Sequence, residues 1–432
     1  LGRSLIFFIL HSQFAKGLCP VKILILSPYP PYPPHGGGTM RIYQLIRGLA
    51  QRHDVTCLAF APDLAAEHAL APLQRICRVV PVRGPLARGL ARRAWTTLAS
   101  PLPDMALRNV LPAYAAALRA LVATEPFDVI QAESIEMAGY LWQVKSGELG
   151  VRSSNNVQLI LDQFNAEYQL QRRAFLTDAR RPRRWHAAAY SLAQWQKLAR
   201  YEARVMRECD TVLAVSDEDR ATLLGLAPGA RIGVVPNGVD TDHFSRSALG
   251  QARVGPICFA GATLVFSGTL DFRPNVDALA WFVREVLPAL RARRPDLRLL
   301  AVGRRPAPLL RQLAAEGHLT LTGEVPDARP YIAGAVVYVV PMRIGGGVRL
   351  KLLEALALEA PVVSTRMGAE GVSGLAEGEH CLLADDPAGF AAATLRLLDD
   401  PALGRRLGAA GRLLARQRYD WSVIVPRLEA LY

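Results

Sequence analysis

Cysteine in pairs and apolar residues in long runs are both missing from this sequence, and each absence removes a class of protein. The six cysteines, Cys19, Cys57, Cys77, Cys209, Cys258 and Cys381, are scattered through 432 residues with no two at metal-ligand or redox spacing. They read as reduced core residues of a cytoplasmic protein, which excludes a disulfide scaffold and a thiolate-held metal. No stretch approaches the roughly 18 to 20 apolar residues of a membrane-spanning helix. The apolar run at 5–10 is short even for a signal peptide, so residues 1–20 read as an upstream extension outside the fold. Aromatics are sparse at 7%, yet apolar residues reach 51% and are mostly Leu, Ala and Val, the composition of packed helices and buried parallel strands. Short tandem repeats and low-complexity segments are also absent. At this length two domains are expected, because single α/β cores stop growing near roughly 250 to 300 residues.

Acidic residues are outnumbered, leaving a net charge of +13. The excess is concentrated. Between Arg172 and Arg207 ten Lys and Arg stand against Asp178 and Glu202, and Lys197, Arg200, Arg204 and Arg207 recur at helical spacing beside Leu198, Tyr201 and Val205. A cationic stripe next to an apolar one suits an anionic membrane surface at the inner face of the plasma membrane, and equally a solvated Arg-rich face. No nucleic-acid partner is implied, since charge alone would not require the motifs described next.

Strand-like apolar runs at 22–27, 54–60, 79–82, 128–132, 157–161, 211–215 and 232–235 alternate with stretches of helical period. Residues 241–256 interrupt the pattern with Gly and polar residues. A second series follows, with strands at 264–267, 297–302, 319–322, 336–340 and 362–365 and helices starting near Pro274, Pro306, Arg349, Pro387 and Pro401. Strands alternating with helices mean a parallel, doubly wound sheet. The sequence therefore predicts two Rossmann-like α/β domains facing a cleft, residues 21–240 and 257–415 with the linker 241–256 between them. A final helix in 416–432 is expected to pack back on the first domain.

The densest local signal is Pro341-Met342-Arg343-Ile344-Gly345-Gly346-Gly347-Val348-Arg349-Leu350-Lys351-Leu352-Leu353-Glu354. Glycines let a backbone approach a phosphate, and the helix N-terminus after them offers free N–H groups and partial positive charge. Arg349 and Lys351 add two full charges. Glu354 follows Arg349 by five residues, about 7 to 8 Å along a helix, a span that fits a diphosphate and the ribose it esterifies; a carboxylate accepts hydrogen bonds from two vicinal hydroxyls. A flexible turn before a helix with an ordinary surface ion pair would read the same way. In the first half, His35-Gly36-Gly37-Gly38-Thr39-Met40-Arg41 again puts glycines before a helix, either as a tight turn or as a loop near phosphate. Asp162, Asn165 and Glu167 follow a strand, where they cap a helix or serve a ligand. No Gly-x-Gly-x-x-Gly follows either leading strand, which speaks against a nicotinamide dehydrogenase.

With Val362-Val363-Ser364-Thr365 and Gly368-Ala369-Glu370-Gly371 after it, the glycine–helix–glutamate segment resembles the donor site of family-4 retaining glycosyltransferases, enzymes of the GT-B fold. Val235-Pro236-Asn237-Gly238-Val239-Asp240, Val215-Ser216-Asp217 and Phe266-Ser267-Gly268 resemble further pieces of that family, in the same order over residues 21–432. Two departures stand out. Gly346 occupies the place of the first of the family's two glutamates, and Thr269 and Pro274 stand where Arg and Lys are frequent, as in a subgroup with Arg-Ile-Gly-Gly-Gly before Arg-x-Lys. The resemblance implies transfer of a hexose from a UDP- or GDP-sugar to a glycan or lipid-linked acceptor with retention, in cell-surface polysaccharide synthesis, without cofactor or metal. It implies Arg349 and Lys351 as the catalytic cations. Donor binding falls to Gly268, Gly345, Gly346, Gly347, Glu354 and Glu370, with Gly36, Gly37, Gly38, Arg41, Asn165 and Glu167 on the acceptor or phosphate side. A nucleotide-sugar 2-epimerase and a catalytically inactive glycan-binding protein share the two-domain plan and stay as rivals.

Overall fold

A computed structural model describes residues 20–34, 36–85, 89, 95–97, 99–148, 157–180, 184–249, 262–345 and 348–432. The first domain is built on seven parallel strands in the order β3-β2-β1-β4-β5-β6-β7. These are β1 (Lys22–Ser27), β2 (Asp54–Ala61), β3 (Arg78–Arg83), β4 (Val129–Glu133), β5 (Gln158–Asp162), β6 (Thr211–Ala214) and β7 (Ile232–Val234). Ile23 to Leu26 have no exposed surface because helices cover both faces of the sheet, which is why the strand reads as a continuous apolar run.

The second domain repeats the plan in six parallel strands, ordered β10-β9-β8-β11-β12-β13. They are β8 (Thr263–Ser267), β9 (Arg298–Val302), β10 (Thr320–Leu321), β11 (Val337–Val340), β12 (Val362–Ser364) and β13 (Leu382–Leu383). Two strands differ from the sequence reading. β10 keeps two of its four residues, and β13 escaped the pattern because two residues carry no period. In both sheets the strand order reverses beside the first strand, and ligands of such sheets lie at the carboxyl ends there.

Six helices matter for the site: α1 (Gly37–Leu49), α2 (Glu167–Ala179), α3 (Trp185–Glu208), α4 (Arg273–Trp281), α5 (Leu350–Ala357) and α6 (Trp421–Glu429). After the helix Pro401–Leu414 and a wider π turn at Ala415–Tyr419 the chain crosses back between domains. Trp421, Ile424, Val425 and Leu428 of α6 then share one apolar cluster with Ile42, Leu45 and Ile46 of α1. A Cβ at Gly48 would come within 2.4 Å of Val425, so the two helices meet at a distance only glycine permits. Val239 N–H to the Tyr419 carbonyl, 2.8 Å, and Thr241 Oγ1 to Asp420, 2.6 Å, tie the two crossings together. None of the helices in the described residues is long and apolar enough to cross a membrane.

Candidate functional site

Between the two sheets lies a cavity of about 710 Å³, and α5 points its N-terminus into it. Leu352, Leu353 and Leu356 are fully buried on one side of α5. The other side therefore faces the cavity, with Lys351 and Glu354 one turn apart along it. Arg349 caps the helix in an extended conformation (φ −84°, ψ 101°), so its side chain leaves ahead of the first turn and joins them at the wall. Backbone N–H groups at the start of a helix have no intrahelical partner, and here they open onto the same space.

The environment of these charges is tuned by burial. Lys351 Nζ donates to Asn275 Oδ1 at 2.8 Å and sits 3.9 Å from the centre of the Phe266 ring. Burial first, then neighbouring Arg349, pull its ammonium down to about 7, against the opposing pull of Glu354. Burial likewise pushes the Glu354 carboxyl up to about 7, with Lys351 working against the shift. Burial also lowers the Arg349 guanidinium, with Glu370 opposing and Arg173 reinforcing. An anion beside Lys351 and Arg349 would favour the charged ammonium of Lys351.

Two glycines are required by geometry. Gly268, at the end of β8, has φ +145°, and a Cβ there would meet Lys351 Nζ and Asn275 Nδ2 at 2.9 Å. Gly345 has φ +141°, and a Cβ would press to 2.4 Å from Arg349 Nη2. Gly346, Gly347 and His35 lie outside the described residues. From the first domain, Gly36 and Gly37 at the start of α1 line the cavity, as does Asn165. Gly38 packs instead against Tyr29.

Arg41 and Glu370 sit outside the wall of this cavity. The Arg41 guanidinium, 1% exposed, makes a two-pronged pair with Asp162 at 2.7 and 2.9 Å and reaches the Pro236 carbonyl at 3.1 Å. It is a buried tie between α1, β5 and the interdomain crossing. Glu370 lines a neighbouring pocket, where Arg173 Nη2 stands 3.5 Å from its Oε1. Glu167 opens α2 and accepts from Asn165 at 3.2 Å, its carboxyl pushed up to about 7 by burial.

Sequence reasoning missed the side chains that bind the two domains to each other. Arg173 of α2 donates to the Gly345 carbonyl at 2.7 Å, and Asp178 of α2 pairs with Arg273 of α4 at 3.4 Å and with Arg184 at 3.2 Å. The cationic stripe is thinner than its letters. Lys197 holds the Thr97 and Ser100 carbonyls, while Arg204 lies 3.8 Å over the Trp142 ring and pairs with Glu208. Arg172, Arg180 and Arg200 are exposed, as are Leu176 and Trp185 on the same helix pair. No group of three or more His, Cys, Asp or Glu among the described residues is placed to hold a metal ion.

Residues 35–243 match the model of the Glycosyltransferase Family 4 domain and residues 261–400 that of Glycosyl transferases group 1. The chain is 35% identical over 229 residues to a phosphatidyl-myo-inositol mannosyltransferase of Mycolicibacterium smegmatis, covering 51% of this chain and 56% of that one. It is 30% identical over 273 residues to a glycogen synthase of Mycobacterium tuberculosis, covering 59% and 61%. The chain thus spans little more than half the length of these curated relatives. In structure it resembles a sucrose-phosphate synthase from Thermosynechococcus elongatus, with a TM-score of 0.71, 21% identity and coverage of 95% and 98%. It also resembles Anabaena HepE in complex with UDP and glucose, with a TM-score of 0.65, 15% identity and coverage of 95% and 99%. The two facing parallel-sheet domains are the GT-B fold.

Proposed function

From a chain that carries a Glycosyltransferase Family 4 domain followed by a Glycosyl transferases group 1 domain, we propose transfer of a hexose from a UDP- or GDP-sugar to a glycan or lipid-linked acceptor, with retention, in building a cell-surface polysaccharide. One observation carries this reading. Arg349, Lys351 and the free N–H groups of α5 converge on one cavity with Glu354 a turn further along. The cations and helix N-terminus take the diphosphate, and Glu354 takes the ribose hydroxyls.

In the transfer, the bond from the anomeric carbon to the diphosphate oxygen breaks while the acceptor oxygen bonds to the same carbon on the same face. The acceptor's proton passes to the departing diphosphate oxygen. Negative charge grows on that diphosphate, and fixed cations stabilise it most at that moment. These cations serve in place of a metal ion, so activity is expected to survive a chelator.

The deciding experiment incubates the protein with UDP- and GDP-hexoses without acceptor and measures nucleoside diphosphate release with and without EDTA. Release from one donor class, unaltered by EDTA, is the expected result. No release from any donor overturns the reading, and an epimerised nucleotide-sugar would turn it toward a 2-epimerase.

The exposed Trp185, Leu176, Arg172, Arg180 and Arg200 of the α2–α3 pair support peripheral attachment to an anionic membrane on the cytoplasmic side. Each near-surface cation contributes about 1 kcal/mol, weakened by salt. Co-sedimentation equal for neutral and anionic vesicles would remove this part of the proposal.

A further inference from the structure

Arg173 belongs to the first domain and acts on the second. It reaches from α2 across the cleft, donates through Nη1 to the Gly345 carbonyl at 2.7 Å, and places Nη2 3.5 Å from Glu370 Oε1. Both of these acceptors are neighbours of Arg349. The Gly345 Cα lies so close to the Arg349 guanidinium that a Cβ there would come within 2.4 Å of Nη2, and the Glu370 charge favours the charged form of that guanidinium.

The three groups of the donor wall differ in what holds them. Lys351 rises from the first turn of α5 and donates to Asn275 of α4, so both ends of its tether belong to the second domain. Glu354 lies one turn further along the same helix. Arg349 instead precedes the helix, after a glycine turn in which Gly345 takes φ +141°. Glycine backbone has the most conformational freedom to lose, and the bond that fixes the Gly345 carbonyl comes from the opposite domain. A bond from guanidinium to carbonyl is charge-assisted, and the planar fork of arginine can serve Gly345 and Glu370 together.

We propose that Arg173 is a positioning residue: reaching over from α2, it fixes the glycine turn and Glu370, and through them sets the Arg349 guanidinium against the departing diphosphate. The effect on turnover rests on the transferase reading, whereas the positioning does not. Arg349 is competent only while α2 lies against the second domain. Lys351 and Glu354 keep their places whether it does or not.

The test measures kcat at saturating donor and nucleoside diphosphate affinity for Arg173→Gln and Arg173→Lys, and for Arg173→Gln combined with Arg349→Ala. Misplacing a reacting group by about 1 Å costs on the order of 10²-fold, so Arg173→Gln should lower kcat by about 10- to 100-fold and leave affinity within about twofold. Arg173→Lys keeps a charged donor without the fork and should recover at least about threefold of that loss. Added to Arg349→Ala, Arg173→Gln should cost no more than about twofold further, because residues acting as one unit are not additive. Arg273→Gln loosens the same domain contact at Asp178 without touching Gly345, and its kcat should stay within about twofold of the wild type. Losses that multiply in the double variant, an affinity loss as large as the kcat loss, or an equal fall in Arg273→Gln overturn the proposal. Exchange of the Arg349 Nε–H, followed by NMR, reads the positioning without turnover. It should quicken at least about threefold in Arg173→Gln, and an unchanged rate overturns the proposal. A wild-type protein that releases no nucleoside diphosphate while this exchange still responds defeats the transferase reading and supports the positioning.

Discussion

The two glycine turns of this molecule look alike in sequence and behave differently in structure. Gly36-Gly37-Gly38-Thr39-Met40-Arg41 and Gly345-Gly346-Gly347-Val348-Arg349-Leu350-Lys351 each place three glycines ahead of a helix and a cation. In the first, α1 already begins at Gly37, so Arg41 falls in its second turn, on the face that packs into the core against Asp162. In the second, α5 begins only at Leu350, so Arg349 caps it and Lys351 occupies its first turn at the cavity. The position of the helix start relative to the glycines decides whether a cation becomes a buried strut or part of the cavity wall.

Removing the cation from each turn should separate the two roles. Arg41→Ala leaves Asp162 charged in the core, and breaking a buried pair in this way costs about 3 to 5 kcal/mol of stability, to be read from urea denaturation. Arg349→Ala should leave the unfolding midpoint nearly unchanged and lower kcat at saturating donor by about 10²- to 10³-fold, as when one donor to a developing oxyanion is deleted. Equal stability losses in the two variants would break the comparison. Arg349→Ala that weakens donor affinity alone would mean the cation binds donor and transition state equally.

The glycines should follow their cations. A Cβ at Gly38 would stand 1.9 Å from the Tyr29 hydroxyl, so Gly38→Ala overpacks the first domain and should cost roughly 1 to 3 kcal/mol of stability. Gly345→Ala must abandon φ +141° and displaces the Arg349 guanidinium. Its loss should therefore appear in turnover more than in the melting curve. A Gly345→Ala enzyme with full kcat would show that the Arg349 position is not set by this turn.

What could be read in the sequence followed from periodicity. Strands such as β1 and β2, buried on both faces, announce themselves as apolar runs, and the two Rossmann-like sheets follow from their alternation with helices. The α5 constellation was legible because its residues are neighbours in sequence. Arg41 was not, since its partner Asp162 is 121 residues away and nothing local distinguishes a buried guanidinium from one at a phosphate. Asn275, which holds Lys351 together with Phe266, belongs to no motif, and their meeting depends on how β8 and α4 approach α5. Arg173 was hidden in a run of cations, where the letters show charge and the fold decides which charges are spent.

A smaller effect tests the carboxylate of the second turn. Glu354→Gln keeps the shape and one acceptor oxygen but removes the charge from its hydrogen bonds, so donor affinity should fall by about 1 to 2 kcal/mol, roughly 5- to 30-fold. Turnover at saturating donor should change less. A fall in kcat as large as that for Arg349→Ala would move Glu354 from the ribose to the reacting centre.

The smallest effect is also the sharpest, because it separates the second turn from the first by pH. Lys351 and Glu354 both stand near 7 in the free protein, and nothing comparable affects donor contact in the glycine turn of α1. A bound diphosphate favours the charged ammonium, so the pKa of Lys351 is higher in the complex than in the free protein. Protons are then taken up on binding above about pH 7, and affinity falls as pH rises through that window. Ribose hydroxyls favour the charged carboxylate, so Glu354 has a lower pKa in the complex, protons are released below about pH 7, and affinity falls as pH drops. Nucleoside diphosphate affinity should consequently peak near neutrality and decline by a few-fold, about 2- to 10-fold, one unit to either side. Calorimetry in buffers of different ionisation enthalpy reads the proton count directly. Lys351→Arg, which cannot lose its charge, should abolish the alkaline limb, and Glu354→Gln the acid one. A profile that is flat from about pH 6 to 8 would mean that the nucleotide binds without changing the charge of either group, and the assignment of diphosphate to Lys351 and ribose to Glu354 would fall with it.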